Sequence, residues 1–309
     1  MNKRKIQLVG GSTYTVSLPK KWIQRNNIRE QSVVNVFERN NCIFISNSEE
    51  SVQDTVRVNL DEKSDIILQV LYTLYYIGVN EATLFSSKDI SSEMRSRIDK
   101  FIKTLSGAEI IYEDSRKIDV RFFISLKKVN TYQILLRFLF ILKRIMETIT
   151  TDNSKETLKS LEIDTDKIYH MFNRWVFELS SGKTYDEDIV IDALPLFMRI
   201  AQRFEKISDL LFDAVKSVDE AELKQKCVKK AFESIIENIN YYINSLNTKS
   251  FDAKKGLDKY QKTEQLCGEM SNFFLKFLLM EIVSMVKANE KDVISILYLT
   301  SLKNQKQDK

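Results

Sequence analysis

The sequence predicts an α+β multidomain protein: a small β domain, a small α/β linker domain, and an all-α bundle of about six helices in two three-helix units. Three observations carry this. Only 7 glycines and 2 prolines punctuate 309 residues, too few for an all-β or loop-rich chain, while 43% hydrophobic content is enough to bury a core. The hydrophobic period changes twice along the chain, and the positive charge gathers at one end.

Residues 1–50 read as short strands: KIQLV, YTVSL, SVVNVF and CIFIS, with Gly10-Gly11-Ser12 and Asn40-Asn41 as turns. Pro19 followed by KKWIQRNN suits one or two helical turns, because proline is tolerated at a first helical position. Trp22 reads as a core or interface anchor. About 50 residues is marginal for a monomeric β domain, which dimerisation would remedy. Residues 51–128 alternate strand and helix: TVRVNL, SDIILQVLYTLYYIG, EATLFS, SSEMRSRIDKFIKTL, AEIIYED and IDVRFFISL. Ser64 and Ser91 are the expected N-caps, and Gly78 and Gly107 the expected helix stops. With no phosphate loop or paired catalytic residues, this layer is expected to space or to sense. Residues 129–309 show helical periodicity over about 131–150, 154–180, 187–216, 218–247, 251–287 and 290–304, the last break falling at Asn289. Pro195 should kink the third of these helices or mark a late start.

The net charge of +4 conceals a division. Residues 1–48 hold eight Lys or Arg against Glu30 and Glu38, a sum of +6, so the other 261 residues sum to −2. The basic excess points to an anionic partner, double-stranded DNA first, with Lys3, Arg4, Lys5, Lys20, Lys21 and Arg25 as the phosphate-facing candidates. The plainer alternative is a dimerisation domain with a solvated basic terminus. Cys42, Cys227 and Cys267 are scattered and have no CxxC spacing, as expected of a reducing cytoplasm. The greasiest stretches, 134–145 and 273–286, are each interrupted by charges and fall short of the ~18 apolar residues of a membrane span, so no membrane insertion is expected. One histidine and the absence of GxSxG, P-loop and HExxH patterns predict no enzyme.

Acidic residues recur at helical spacing. Glu162 and Asp166 in LEIDTDKIYHMF lie one turn apart, as do Glu205 and Asp209 in RFEKISDLLFD, with Asp213 a turn further. Two such rows on adjacent helices suit a cation such as Zn, Fe, Mn or Mg, and His170 on the same stripe could add a nitrogen ligand. The bland reading is a solvated acidic face helped by Lys167 and Lys206.

Two family resemblances follow from these residues. RKIQLVGGSTYTVSLPKKW with the SVVNVF and CIFIS strands, residues 4–46, resembles the AbrB/SpoVT swapped-hairpin DNA-binding domains, in the form fused to helical domains in archaeal regulators. That resemblance implies an interleaved homodimer. The arginine pair of AbrB falls here on Ile23 and Gln24, so Lys20, Lys21 and Arg25 would supply the charge. Residues 130–304, through LEIDTDKIYHMF and FEKISDLLFDA, are similar to the PhoU family of tandem three-helix phosphate-signalling bundles. That similarity implies Glu162, Asp166, Glu205 and Asp209 as ligands of one metal ion. The second unit departs from the pattern, with no carboxylate from Val293 to Gln307, so a second metal site is not expected. Together the resemblances imply a dimeric, cytoplasmic transcription regulator of phosphate uptake. The competing reading is an adaptor that docks on a phosphate transporter or signalling protein, its N-terminal domain serving only to dimerise.

Overall fold

In the computed structural model, Gly10 and Gly11 adopt φ of 62° and 77°, a left-handed region that glycine enters without a Cβ penalty. They turn the chain between β1 (Gln7–Val9) and β2 (Thr13–Thr15), which pair antiparallel with Leu8 opposite Tyr14. Pro19, at φ −64°, precedes the short helix α1 (Lys20–Arg25). A second hairpin joins β3 (Val34–Arg39) to β4 (Cys42–Asn47), with Val36 opposite Ile45. These elements form one compact unit, Met1–Val52, and Gln53–Lys309 forms another. The described residues are 3–39, 42–47, 55–124, 126, 130–151, 154–181 and 189–307, and the Asn40-Asn41 turn lies outside them.

The second unit opens with β5 (Thr55–Asn59), α2 (Leu60–Lys63), α3 (Ile67–Tyr76), β6 (Glu81–Phe85), α4 (Ser92–Ile102), β7 (Ala108–Glu113) and β8 (Lys117–Phe122). The strands form one sheet in the order β5-β6-β8-β7, with only the β5–β6 pair parallel. One face carries Val58, Ala82, Leu84, Ile118, Val120 and Phe122, all buried together with Ile67, Leu71 and Leu74 of α3 and Ile98, Phe101 and Ile102 of α4. The opposite face sets Arg57, Thr83, Asp119 and Tyr112 across the four strands. There Asp119 accepts from the Thr83 hydroxyl at 2.7 Å and pairs with the Lys117 ammonium at 2.6 Å, so its burial is compensated. Ser91 caps α4 as expected, accepting from the Met94 amide at 3.2 Å. Ser64 does not cap: it opens a 3-10 turn, Ser64–Ile66, and Asn59 instead caps α2 by accepting from Asp61 N. Gly78, at φ 80°, follows α3 and donates to the Tyr75 carbonyl, while Val79 N reaches Leu74 O.

Helices α5 (Thr131–Thr150), α6 (Lys155–Ser180) and α7 (Leu194–Ser217) form one three-helix group; α9 (Lys226–Thr248), α10 (Ala253–Gly268) and α11 (Phe273–Gln307) form the other, after the short α8 (Glu220–Leu223). The groups join through α5 against α9 and α7 against α11. One apolar core runs through all six long helices, with Phe138, Phe172, Trp175 and Ile207 fully inaccessible. Each such side chain contributes roughly 1.5–3 kcal/mol of burial. Pro195 lies in the first turn of α7, so it marks a late start.

Three expected helix limits differ from the structure. The segment 218–247 divides into α8 and α9. The segment 251–287 divides at residues 269–272, where Asn272 accepts from the Leu275 amide at 2.9 Å and so caps α11. The break expected at Asn289 is absent. Asn289 is buried inside α11 and its Oδ1 accepts from the Arg203 guanidinium at 3.0 Å, a tertiary partner that makes the polar residue a joint. Beside it Asp292, 4% exposed, pairs with Arg199 and with Arg203, at 2.5 Å to the latter. Burial opposes ionisation there, yet hydrogen bonds from the two arginines hold Asp292 below the usual carboxylate range.

Candidate functional site

The first unit places all six predicted basic residues at the surface. Lys3, Arg4 and Lys5 lead into β1, and Lys20, Lys21 and Arg25 lie on α1, where Lys21 and Arg25 are one turn apart. None of the six side chains has an ion pair or hydrogen bond among the described residues, which leaves their charge available to a phosphate backbone. Trp22 and Ile23 are half-buried on the inner side of α1.

This unit has secondary structure without a core. No residue of it whose side chain is described is buried. Ile6, Leu8, Tyr14, Val33, Val36 and Ile43 stand between 56% and 75% exposed. Two hairpins whose apolar side chains face water are incomplete as a monomer, and an exposed apolar surface of this kind marks an association site.

The second candidate lies where α6 and α7 face α3. Ser154 caps α6 by accepting from the Thr157 amide, and the helix then carries Glu162 and Asp166 on successive turns. Burial, then the neighbouring charges of Glu162 and Asp209, raise the Asp166 carboxyl to about 6. Burial, then Asp209 and Asp166, raise Glu205 to about 6, with Lys206 opposing. Asp166 and Glu205 are therefore the half-buried centre of the acidic group, while Glu162 and Asp209 are exposed and Asp209 has Lys206 at 3.6 Å. Asp213 lies outside this centre, 4.0 Å from Lys216.

Two like charges held together in partial burial call for a proton or a cation. No group of three or more His, Cys, Asp or Glu side chains is gathered for a metal among the described residues. Asp166 and Glu205 fit a cation in charge and burial, but the four carboxylates do not form a ready cage.

His170 is not directed to this group as a further ligand. It is 7% exposed, its Nδ1 lies 2.6 Å from the Tyr76 hydroxyl, and the rings of Tyr72, Tyr169 and Tyr76 stand 4.5, 5.4 and 5.9 Å away. Burial lowers its pKa to about 4, so the ring is neutral. Tyr72 connects the two features: burial raises its phenol, and the charges of Asp166 and Glu205 raise it further. Sequence reasoning missed Tyr72 and Tyr76 as members of this site. The available signal was YTLYY on α3, read there as plain helical periodicity.

Arg174, 2% exposed, fixes α3 over the site. Its Nη1 donates to the Tyr75 carbonyl at 3.0 Å and its Nε to Glu178 at 2.8 Å. The guanidinium thus sits at the C-terminal end of α3, where exposed carbonyls favour a cation. Among the described residues no helix is long and apolar enough to cross a membrane.

Residues 7–46 match the family described as antidote-toxin recognition MazE, bacterial antitoxin. The match covers the two hairpins and α1, a MazE/AbrB-like domain consistent with a DNA-binding regulator and with dimerisation. No curated protein and no solved structure matches the chain.

Proposed function

We propose that this protein is a dimeric, cytoplasmic transcription regulator of phosphate uptake that binds double-stranded DNA through its first unit and senses its effector through a PhoU-like helical bundle. The observation that carries the DNA-binding part is the first unit: six surface cations without a side-chain partner among the described residues, on a pair of hairpins that match the MazE family over residues 7–46. A second copy would complete the core and double the basic surface, giving two-fold contacts suited to a duplex. The phosphate part rests on the resemblance of LEIDTDKIYHMF and FEKISDLLFDA to PhoU, supported by the arrangement in two three-helix groups.

Glu162, Asp166, Glu205 and Asp209 are the residues that would hold a single Zn, Fe, Mn or Mg ion, whose charge would relieve the repulsion within the acidic group. An effector regulates DNA binding only if it favours one arrangement of the second unit over another. The route out of the bundle is Tyr72 of α3, whose phenol is raised by burial and by the charges of Asp166 and Glu205.

A salt-titrated mobility shift tests the DNA reading. Wild type should bind duplex DNA with affinity falling steeply as salt rises, and a variant with Lys3, Arg4, Lys5, Lys20 and Lys21 neutralised should lose that binding. Wild type that binds no duplex at low salt, or binds no better than the variant, would leave the first unit as a dimerisation domain only. Elemental analysis of purified wild type against the Glu162→Ala, Glu205→Ala double variant tests the metal: equal content in both sinks it.

A further inference from the structure

We infer that the β5 edge of the second unit's sheet is a dimer interface, pairing antiparallel with β5 of a second copy about a two-fold axis centred on Val56. The inference rests on the dimeric reading of the first unit and adds a second contact to it.

Its starting point is the difference between the sheet's two edges. In the order β5-β6-β8-β7, β5 and β7 are the outer strands. The β7 edge is blunted: its pairing with β8 shifts register between Ile110 and Tyr112, and Glu109 and Glu113 flank that irregularity. A bulge and charges along the edge are the usual means by which a sheet refuses a further strand. β5 has no bulge and a single charge, Arg57. It pairs in continuous register with β6 from Thr55 to Asn59, contains no proline, and leaves the other side of its backbone without a strand among the described residues.

Sequence connectivity supplies the partner. Only seven residues, 48–54, separate Asn47 of β4 from Thr55 of β5. Extended chain geometry limits that connection to about 28 Å. A dimer formed by the first unit therefore tethers two β5 edges at an effective concentration of order mM, which makes a short strand pairing sufficient.

Side-chain chemistry selects the register. A two-fold pairing sets residues of equal facing opposite each other. Centring it on Arg57 would oppose two guanidinium groups, which is destabilising. Centring it on Val58 would spend the contact on a side chain already 7% exposed and would involve Asn59, whose side chain caps α2. Centring it on Val56 sets Val56 against its counterpart and Thr55 against Arg57. Val56 is half-buried, so this register covers apolar surface that the single chain leaves open. Arg57 stays on the polar face, stacked 4.9 Å from the Phe85 ring.

Cysteine cross-linking in the full-length chain tests the register. Directly opposed residues of an antiparallel pair lie about 4.5–5.5 Å apart at Cα, within disulfide reach. Under mild oxidation the Val56→Cys variant should form an intermolecular disulfide, mapped by mass spectrometry to the substituted position, at least ten-fold faster than Arg57→Cys. A measurement without substitution accompanies it: backbone amides of residues 55–59 in wild type should exchange at least ten-fold slower in the dimer than in diluted monomer. A chain that is dimeric by light scattering, yet shows neither preferential cross-linking nor protection, overturns the β5 interface and leaves the dimeric regulator intact. A chain that is monomeric at all concentrations overturns both.

Discussion

Asp166 and Glu205 are carboxylic acids whose ionisation the fold resists. Their carboxyls are raised to about 6 from 3.8 and 4.5, so between about pH 4 and 6 the folded chain holds protons that the unfolded chain has released. Their stabilising contribution is present below pH 4 and is lost as pH rises through 6. His170 acts with the opposite sign. Lowered from 6.5 to about 4, it stabilises above pH 6.5, and that contribution is lost as pH falls through 4. In the metal-free protein, Glu205→Gln should raise stability at pH 8 by about 1 kcal/mol, after allowance for solvent screening of a half-buried group. At pH 4 it should change little. Urea unfolding at the two pH values checks this; an equal effect at both would dissociate Glu205 from the acid pair. The acidic rows were legible because one-turn spacing fixes a shared face. Tyr72 and Tyr76 were not, because nearly a hundred residues separate them from His170 and no local pattern encodes that meeting.

At the scale of elements, α3 is held to α6 by a small number of specific bonds. Arg174 carries the Tyr75 carbonyl and Glu178 in near-complete burial, and the Tyr76 hydroxyl lies 2.6 Å from His170 Nδ1. Arg174→Met keeps the apolar stem and removes the charge, leaving Glu178 and a helix-end carbonyl without their partner. The expected cost is about 3 kcal/mol, since removing one member of a buried pair strands the other. Hydrogen exchange should accelerate in residues 67–76 more than in α7; uniform acceleration would mean that α3 is not separately docked. Element positions in the bundle were largely legible, α5 and α6 beginning near Asn130 and Ser154, whose side chains cap them. The break expected at Asn289 failed for a tertiary reason. A polar residue such as Asn289 reads as a stop in sequence, whereas a half-buried arginine from another helix makes it interior.

The whole molecule separates charge from bulk. The six basic candidates sit on the first unit, and the buried apolar side chains among the described residues belong to the second. DNA affinity should therefore depend on protein concentration as well as salt. The slope of log affinity against log salt should shrink by about one for each basic residue that is neutralised and had met a phosphate. A slope unchanged by Lys20→Gln and Lys21→Gln would remove α1 from the interface. The charge partition that leads to this expectation was visible in the first 48 residues. The missing core was not, because whether a strand's apolar side chains face protein or water depends on what packs against them.

The Asp292 clamp has a consequence for α11. That helix runs from Phe273 to Gln307 with large apolar side chains both buried and exposed, including Phe273 at 82% and Tyr298 at 64% exposure. Grease on nearly every side offers little preference among axial or rotational settings. Arg199 and Arg203, a turn apart on α7, act as a detent: a slip of one turn, about 5.4 Å, would break the two-arginine contact that offsets the burial of Asp292. A single carboxylate thereby indexes a helix of 35 residues against its neighbours.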